Sequence, residues 1–350
     1  MNRPSSHRQT ALLALLSIAT GISAIASITA PAAAQQAVNL YTTREPGLIK
    51  PLLEKFTKKT GIKVNTVFVK DGLAERVRAE GKRSPADILM TVDYGKLLDL
   101  VDKGVTQPVK SDILEKAVPA NLRDPKGHWF SMSMRARILY ADKKLGLKSV
   151  TYESLADPKW KGSLCIRSGQ HPYNTGLIAA YIAHHGAEKA EAWLKGLKAN
   201  LARKPGGNDR AVARDILGGI CKIGIGNSYY VGLMRSGAGG EAQKKWGAAI
   251  DAILPVFEKG GTHVNISGAA VALHAPNKAN AIKLLEYLVS DEAQASYAEG
   301  NYEYPVKQGA KVDPIIAKLG KLTIDPLPVS EIVKHRKEAS ELVDKVRFNN

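Results

Sequence analysis

Past residue 36 the apolar positions change period in a regular succession. "AVNLYTT" alternates apolar and polar residues as a strand does, and "PGLIKPLLEKFTKKTG" then places Leu48, Leu52 and Phe56 on one helical face. "IKVNTVFV" returns to the strand period, "LAERVRAEG" to the helical one, and "ADILMTV" followed by "YGKLLDLVDKG" repeats the pair. Strand and helix in strict alternation predict a parallel sheet with helices on its faces. The pattern breaks at "HWFSMSMRARILYAD", a long strand-like run with no helix ahead of it, and breaks again at "HVNISGAAVALHA". Between these runs lies a second α/β set. Two extended crossings around an inserted α/β unit predict two lobes joined by a two-strand hinge, with a ligand cleft between the lobes that closes by hinge motion. Two further helices are expected, over "NKANAIKLLEYLVSDEAQASYAEG" and "EIVKHRKEASELVDKV".

The segment ahead of this pattern has a different character. "MNRPSSHRQT" is basic, "ALLALLSIATGISAIASITA" is apolar, and "PAAAQQ" ends in small residues, which together read as a secretory leader over residues 1–34 cut between Ala34 and Gln35. An exported product is therefore expected. The formal charge is +17, of which Arg3 and Arg8 of the leader supply two. Such a balance favours anionic partners. Its lysines and arginines are scattered over helical faces with no arginine-rich block and few aromatic residues between them, which argues against nucleic acid. In an oxidising compartment Cys165 and Cys221, each at the edge of a strand-like run, are expected to form a disulfide.

Motifs for common enzyme chemistry are missing: the chain has no GxSxG elbow, no HExxH and no P-loop. The "GIG" at Gly224–Gly226 lacks the third glycine of a dinucleotide loop and reads as strand. His184 and His185 are adjacent on a helix and are expected at the surface, while His171 stands two residues before Tyr173 as a supporting group. No enzyme is expected. Tyrosine is the unusual residue, twelve against five phenylalanines, and its placement matters more than its number. Tyr173 follows "CIRSGQHP", and the doublet Tyr229–Tyr230 follows "CKIGIGNS", each beyond the carboxyl end of a strand where α/β sheets bind ligands. A bridge between Cys165 and Cys221 brings these ends together and gathers three phenols. Phenols ionise near pH 10 in water, so three of them suit a hard, highly charged cation that can displace their protons, and Fe(3+) is the natural candidate. Three ligands leave octahedral positions for an exogenous anion. Arg44, beside the start of a helix, and Arg135, on the first crossing strand, are its candidate anchors.

At this point the chain resembles the periplasmic ferric-iron-binding proteins of bacterial ABC transporters, a group of type II periplasmic binding proteins. The stretches that carry the likeness are "NLYTTREPGLI", "SPADILMTVDYGKL", "GHWFSMSMRARILYAD", "TYESLADPKWKGSLCIRS", "GNSYYVG" and "LVSDEAQASYAEGNYEYPV", spread from Asn39 to Val306. The resemblance implies metal ligation by Tyr229 and Tyr230, with Tyr173 as the third tyrosine. Where some members carry a histidine and a glutamate, this chain has Glu45 and Val92, and where others carry a His-Tyr pair it has Glu45 and Pro46. The implied type is the three-tyrosine one, completed by a carbonate-like anion, with Glu45 either an additional ligand or a helix cap. Asn208, Asn227, Ser168 and Gly169 match positions near the anion, although Asn beside Gly is also ordinary turn chemistry. The implied partner is an inner-membrane ABC permease, the location the periplasm, and the state a monomer. The expected lobes are 35–134 plus 264–312 and 135–263 plus 313–350. The competing reading is a metal-free receptor of the same fold for a small organic or phosphorus-containing anion.

Overall fold

The computed structural model describes residues 36–350; the expected leader lies outside them. The first unit runs β1 (Ala37–Thr42), α1 (Pro46–Thr60), β2 (Lys63–Phe68), α2 (Leu73–Glu80), β3 (Ile88–Thr91), α3 (Tyr94–Asp102), β4 (Thr106–Gln107) and α4 (Asp112–Ala117). The strands β2, β1 and β3 lie side by side in that order and parallel, as the alternation predicts. In α1 the buried face is Ile49, Leu52, Leu53 and Phe56; Leu52 and Phe56 are buried as read from the sequence, whereas Leu48 is exposed and Ile49 takes its place.

The long strand β5 (Phe130–Asp142) joins the two halves of the sheet. Next come β6 (Leu164–Cys165), α5 (Pro172–His185), α6 (Ala187–Ala199), α7 (Asp209–Leu217), β7 (Ile223–Asn227), α8 (Ser228–Ser236), α9 (Glu241–Ala249), β8 (Ile250–Ile253) and the second crossing strand, β9 (Val264–Ala272). Residues Phe130 to Ala136 of β5 pair antiparallel with β9, while Arg137 to Ala141 pair with β7 instead. The change of partner falls where β9 begins, and Arg137 donates its backbone N–H to the carbonyl of His263 at 2.9 Å across that point. The two halves therefore meet at adjacent residues of two strands, the geometry of a hinge.

The chain ends with α10 (Lys278–Leu288), α11 (Asp291–Asn301), β10 (Tyr304–Pro305), α12 (Pro314–Ala317), α13 (Val329–Val333) and α14 (Arg336–Lys345). Two helices expected as continuous are each divided. Ser290 caps α11 by accepting from the Ala293 N–H, and Asp291 and Glu292 follow in the first turn, a start signal strong enough to interrupt the periodic run. The break before α14 falls at Lys334–His335, with no side-chain cap. The last helices pack on α5, α6 and α8.

Cys165 and Cys221 are bridged, with Cα atoms 5.9 Å apart, at the base of the parallel pair β6 and β7. The small residues of β7 reflect close packing: a Cβ at Gly224 would collide with Val212 and with the Cys165 carbonyl, and one at Gly226 with the ring of Tyr140. Tyr140 in turn donates its hydroxyl to the Asn227 carbonyl at 2.7 Å, fixing the end of the strand.

Two expectations follow. The bridge closes a loop between positions 56 apart, so its reduction should lower unfolding free energy by about 4 kcal/mol in the chain-entropy treatment; denaturant melts with and without reductant measure this. His263, buried beside the hinge, is pushed down to about 4, chiefly by burial. A depressed histidine stabilises the fold fully above the unfolded value of about 6.5 and loses that contribution as pH falls toward 4, by about 3 kcal/mol. Melts between these limits should show the loss, and a His263→Gln variant should flatten it.

Candidate functional site

Each of the three phenols stands in the first turn of a helix that comes after a strand. After β6 the chain turns through Ile166 to His171 and enters α5 with Pro172 and Tyr173; His171 caps the helix by accepting the Tyr173 N–H at 3.2 Å. After β7 there is no loop at all, since Asn227 ends the strand and Ser228 begins α8. That junction answers the question posed by a tyrosine doublet. On a continuing strand the two rings would point to opposite faces, but at a helix start they lie together, with ring centroids 4.0 Å apart. No side chain caps α8, so the first-turn N–H groups and the positive end of the helix dipole face the phenol end of the molecule.

Tyr173 and Tyr229 open into a cavity of about 320 Å³ whose wall also includes Arg44, Glu45, Val92, Arg135 and Glu303. Tyr230, beside Tyr229, does not line this cavity; it is half-buried, with the Arg210 guanidinium carbon 5.6 Å from its ring centre. Larger hollows exist, such as one of about 620 Å³ beside Met134 and Tyr304, but Tyr173, Tyr229, Arg44 and Arg135 all line the smaller one. Burial first, then the neighbouring phenols Tyr173 and Tyr230, push the Tyr229 hydroxyl well above its ordinary ionisation range. Tyr230 is also raised, by burial and then by Tyr173, while Asp209 and Arg167 act on it in opposite directions. Both hydroxyls therefore hold their protons in the metal-free protein at neutral pH. His171 stands edge-on to Tyr173, with ring centres 4.5 Å apart, and is pushed down to about 4 by burial and by Arg167, so it is neutral.

The two anchors expected for an anion differ in how they are held. Arg44 is buried, and its Nη2 donates to both oxygens of Glu303, at 3.0 and 2.9 Å. Burial alone would lower this guanidinium, but Glu303 outweighs it and the net direction is upward. Glu303 is correspondingly held below the usual carboxylate range: burial works the other way but is overcome by Arg44, Arg135 and Ser133. Arg44 is thus already neutralised. Arg135 instead donates to Ser267 at 3.0 Å and to the Val92 carbonyl, and its guanidinium carbon lies 5.8 Å from the Tyr173 ring centre. Among the described residues no carboxylate lies within ion-pair distance of it. The uncompensated cation on the cavity wall is therefore Arg135.

The other positions singled out in the sequence make the following contacts. Glu45 occupies the N-cap position of α1 but makes no capping hydrogen bond, and its exposed side chain lines the cavity. Asn208 is exposed and caps α7 by accepting from Arg210 and Ala211, both at 3.0 Å. The Ser168 hydroxyl accepts the Gln170 N–H within its own turn, and the Gly169 N–H is taken by Asn349 at 2.8 Å. Asn227 is buried, with its side-chain oxygen accepting from Arg137 at 3.0 Å and its amide nitrogen without a partner. None of these last four lines the cavity. His184 and His185 are not free surface residues: they share short hydrogen bonds with Asp325 and Glu153, at 2.6 and 2.7 Å. Among the described residues no three His, Cys, Asp or Glu side chains form a metal-binding group, which leaves phenolic oxygen as the clustered donor.

Residues 83–322 match the family described as bacterial extracellular solute-binding protein. The chain belongs to that family. It is 42% identical over 301 residues to Iron uptake protein A1 of Synechocystis sp., covering 85% of this chain and 83% of that one. Among solved structures it is similar to the Bordetella ferric binding protein, with 65% identity, a TM-score of 0.88, and coverage of 90% of this chain and 100% of that one. It is similar also to the Trichodesmium protein solved in complex with iron and citrate ligands, at 42% identity and a TM-score of 0.85, covering 89% and 99%. The two-lobed architecture read from the crossing strands is the one these neighbours share.

The difference between the two arginines has a measurable consequence. Arg44→Ala leaves Glu303 buried without its counter-charge and should cost about 3–5 kcal/mol of stability. Arg135→Ala strands no carboxylate and should cost less. Denaturant melts of the two variants without iron should show this order.

Proposed function

We propose that this protein captures ferric iron in the cleft between its lobes, through the phenolates of Tyr173, Tyr229 and Tyr230, and carries it through the periplasm to an ABC permease in the inner membrane. The observation that carries the reading is the meeting of three phenols at the starts of two helices, beside a cavity walled by guanidinia. Buried phenols give up their protons only to something that repays the charge, and a trivalent cation does so while a neutral or anionic solute does not. The iron-related relatives support the same choice over a metal-free receptor. With three phenolates the metal's formal charge is balanced and octahedral positions remain. We assign these to a small oxygen anion such as carbonate, held by Arg135 through charge-assisted hydrogen bonds and by the uncapped start of α8. Glu45, exposed on the same wall, is the additional carboxylate within the cleft, and Arg44 acts from behind it through Glu303.

The lobes we assign are 35–134 plus 264–312 and 135–263 plus 313–350. All three tyrosines then belong to the second lobe, and both Arg44 and Arg135 stand at or across the hinge from them. Iron bound first by the phenols would draw the arginine side of the cleft toward it as the anion is completed. Every group invoked comes from one chain, so a monomer suffices.

Titration of ferric iron, supplied from a weak chelator, into the parent and into Tyr173→Phe, Tyr229→Phe and Tyr230→Phe tests the reading. Each variant loses one hydroxyl, and affinity should fall by more than about a hundredfold, or about 3 kcal/mol, together with the visible phenolate-to-iron absorption. Arg135→Ala should weaken binding when bicarbonate is present, and the gap should narrow when it is excluded. Three Tyr→Phe proteins that bind iron with parental affinity and colour would remove the ferric reading.

A further inference from the structure

Asp209 is fully buried and sits at none of the cavity walls, yet three separate segments of the second lobe converge on it. Its Oδ2 accepts from Arg137 Nη1 at 2.6 Å and from the Asn227 backbone N–H at 2.9 Å, and its Oδ1 accepts from Arg167 Nη1 at 3.3 Å. Arg137 extends the connection: Nη1 also reaches Asn227 Oδ1 at 3.0 Å, and Nη2 reaches Asn174 Oδ1 at 2.7 Å. Asn174 closes the circuit by donating to the carbonyls of Arg167 and Ser168, both at 3.0 Å. Asn174 is the neighbour of Tyr173, and Asn227 lies two residues before Tyr229. The circuit therefore ties the segment carrying one phenol to the segment carrying the other two, and ties both to β5 at the residue where that strand changes partners.

Charge is as informative as geometry. One carboxylate faces two guanidinia, so the layer behind the phenols carries a net single positive charge. The guanidinium carbons of Arg137 and Arg167 lie 5.9 and 5.3 Å from the Tyr173 ring centre, close enough to act on its electrons. We propose that Asp209 is the positioning residue of the site: its single carboxylate fixes the two phenol-bearing segments relative to each other, and by neutralising only one of two arginines it sets the donor strength of the phenolates. The proposal rests on the ferric reading above. It goes further by assigning a role to a residue that does not contact the metal, and by making the colour of the loaded protein a measure of that role.

The experiment compares iron-loaded parent, Asp209→Asn, Arg167→Gln and Tyr229→Phe for iron affinity and for the position of the phenolate-to-iron absorption band. Asp209→Asn leaves two uncompensated guanidinia, which lower the energy of the phenolate electrons. The band should move to shorter wavelength, and affinity should fall at least tenfold as the segments loosen. Arg167→Gln removes the excess cation while keeping the Arg137–Asp209 pair, so the fold should persist and the band should move the opposite way, to longer wavelength. If Asp209→Asn does not fold, the Arg167→Gln shift alone decides. Bands unmoved in every folded charge variant, with Tyr229→Phe still losing iron, would overturn the role of Asp209 and leave the ferric reading standing. Iron binding unaffected by Tyr229→Phe would overturn both.

Discussion

A guanidinium cannot be buried at the junction of two half-sheets without a counter-charge, and Arg137 is buried where β5 leaves β9 for β7. Isolated, it would cost several kcal/mol in desolvation. Asp209 meets it at 2.6 Å, and the guanidinium's remaining donors reach the side chains of Asn174 and Asn227. Once those partners are set, so is the placement of the two helix starts, since Asn174 lies in the first turn of α5 and Asn227 immediately precedes α8. The tyrosines then need no long-range contacts of their own to be positioned: each is held by its place in the first turn of α5 or α8. A polar cluster that would be expensive as mere stabilisation is explained by what it orients.

The same economy appears in the charges around the cleft. Arg44 and Glu303 cancel, and Asp209 cancels one of the two arginines it touches, which leaves Arg135 and the excess of the lower layer as the positive charge near the phenols. That charge opposes a bare cation. The opposition is relieved when phenolates and an anion accompany the metal, so the field disfavours a lone cation and favours one that arrives with its anion.

How much of this was legible in the sequence follows from the range of each interaction. The strand-helix alternation, the two crossing strands, the cysteine pair and the tyrosine doublet are local patterns, and all were read. The supporting carboxylates were not. Asp209 in "GGNDRAVARD" is an acid at a helix start, indistinguishable from a solvated first-turn residue, and its partners lie 72 and 42 positions away. Glu303 in "NYEYPV" is 259 residues from Arg44, so nothing near Arg44 announces that it is already paired. Arg135 and Arg137 are alternate residues of one strand-like run, and only the three-dimensional pairing distinguishes the cation left over from the one neutralised.

The hinge adds a condition on motion. Tyr173 and Tyr229 share a cavity with Arg44, Glu45 and Glu303, residues that enter from the other side of the sheet junction. Rotation about Ala136–Arg137 and His263–Val264 changes the distance between these two walls. It leaves intact the circuit through Asp209, because every member beyond Arg137 belongs to the segments between the two crossings. The phenol cluster can therefore keep its geometry while the cleft opens. The position of Arg137 at the edge of the phenol-bearing segments is what separates the part that moves from the part that does not.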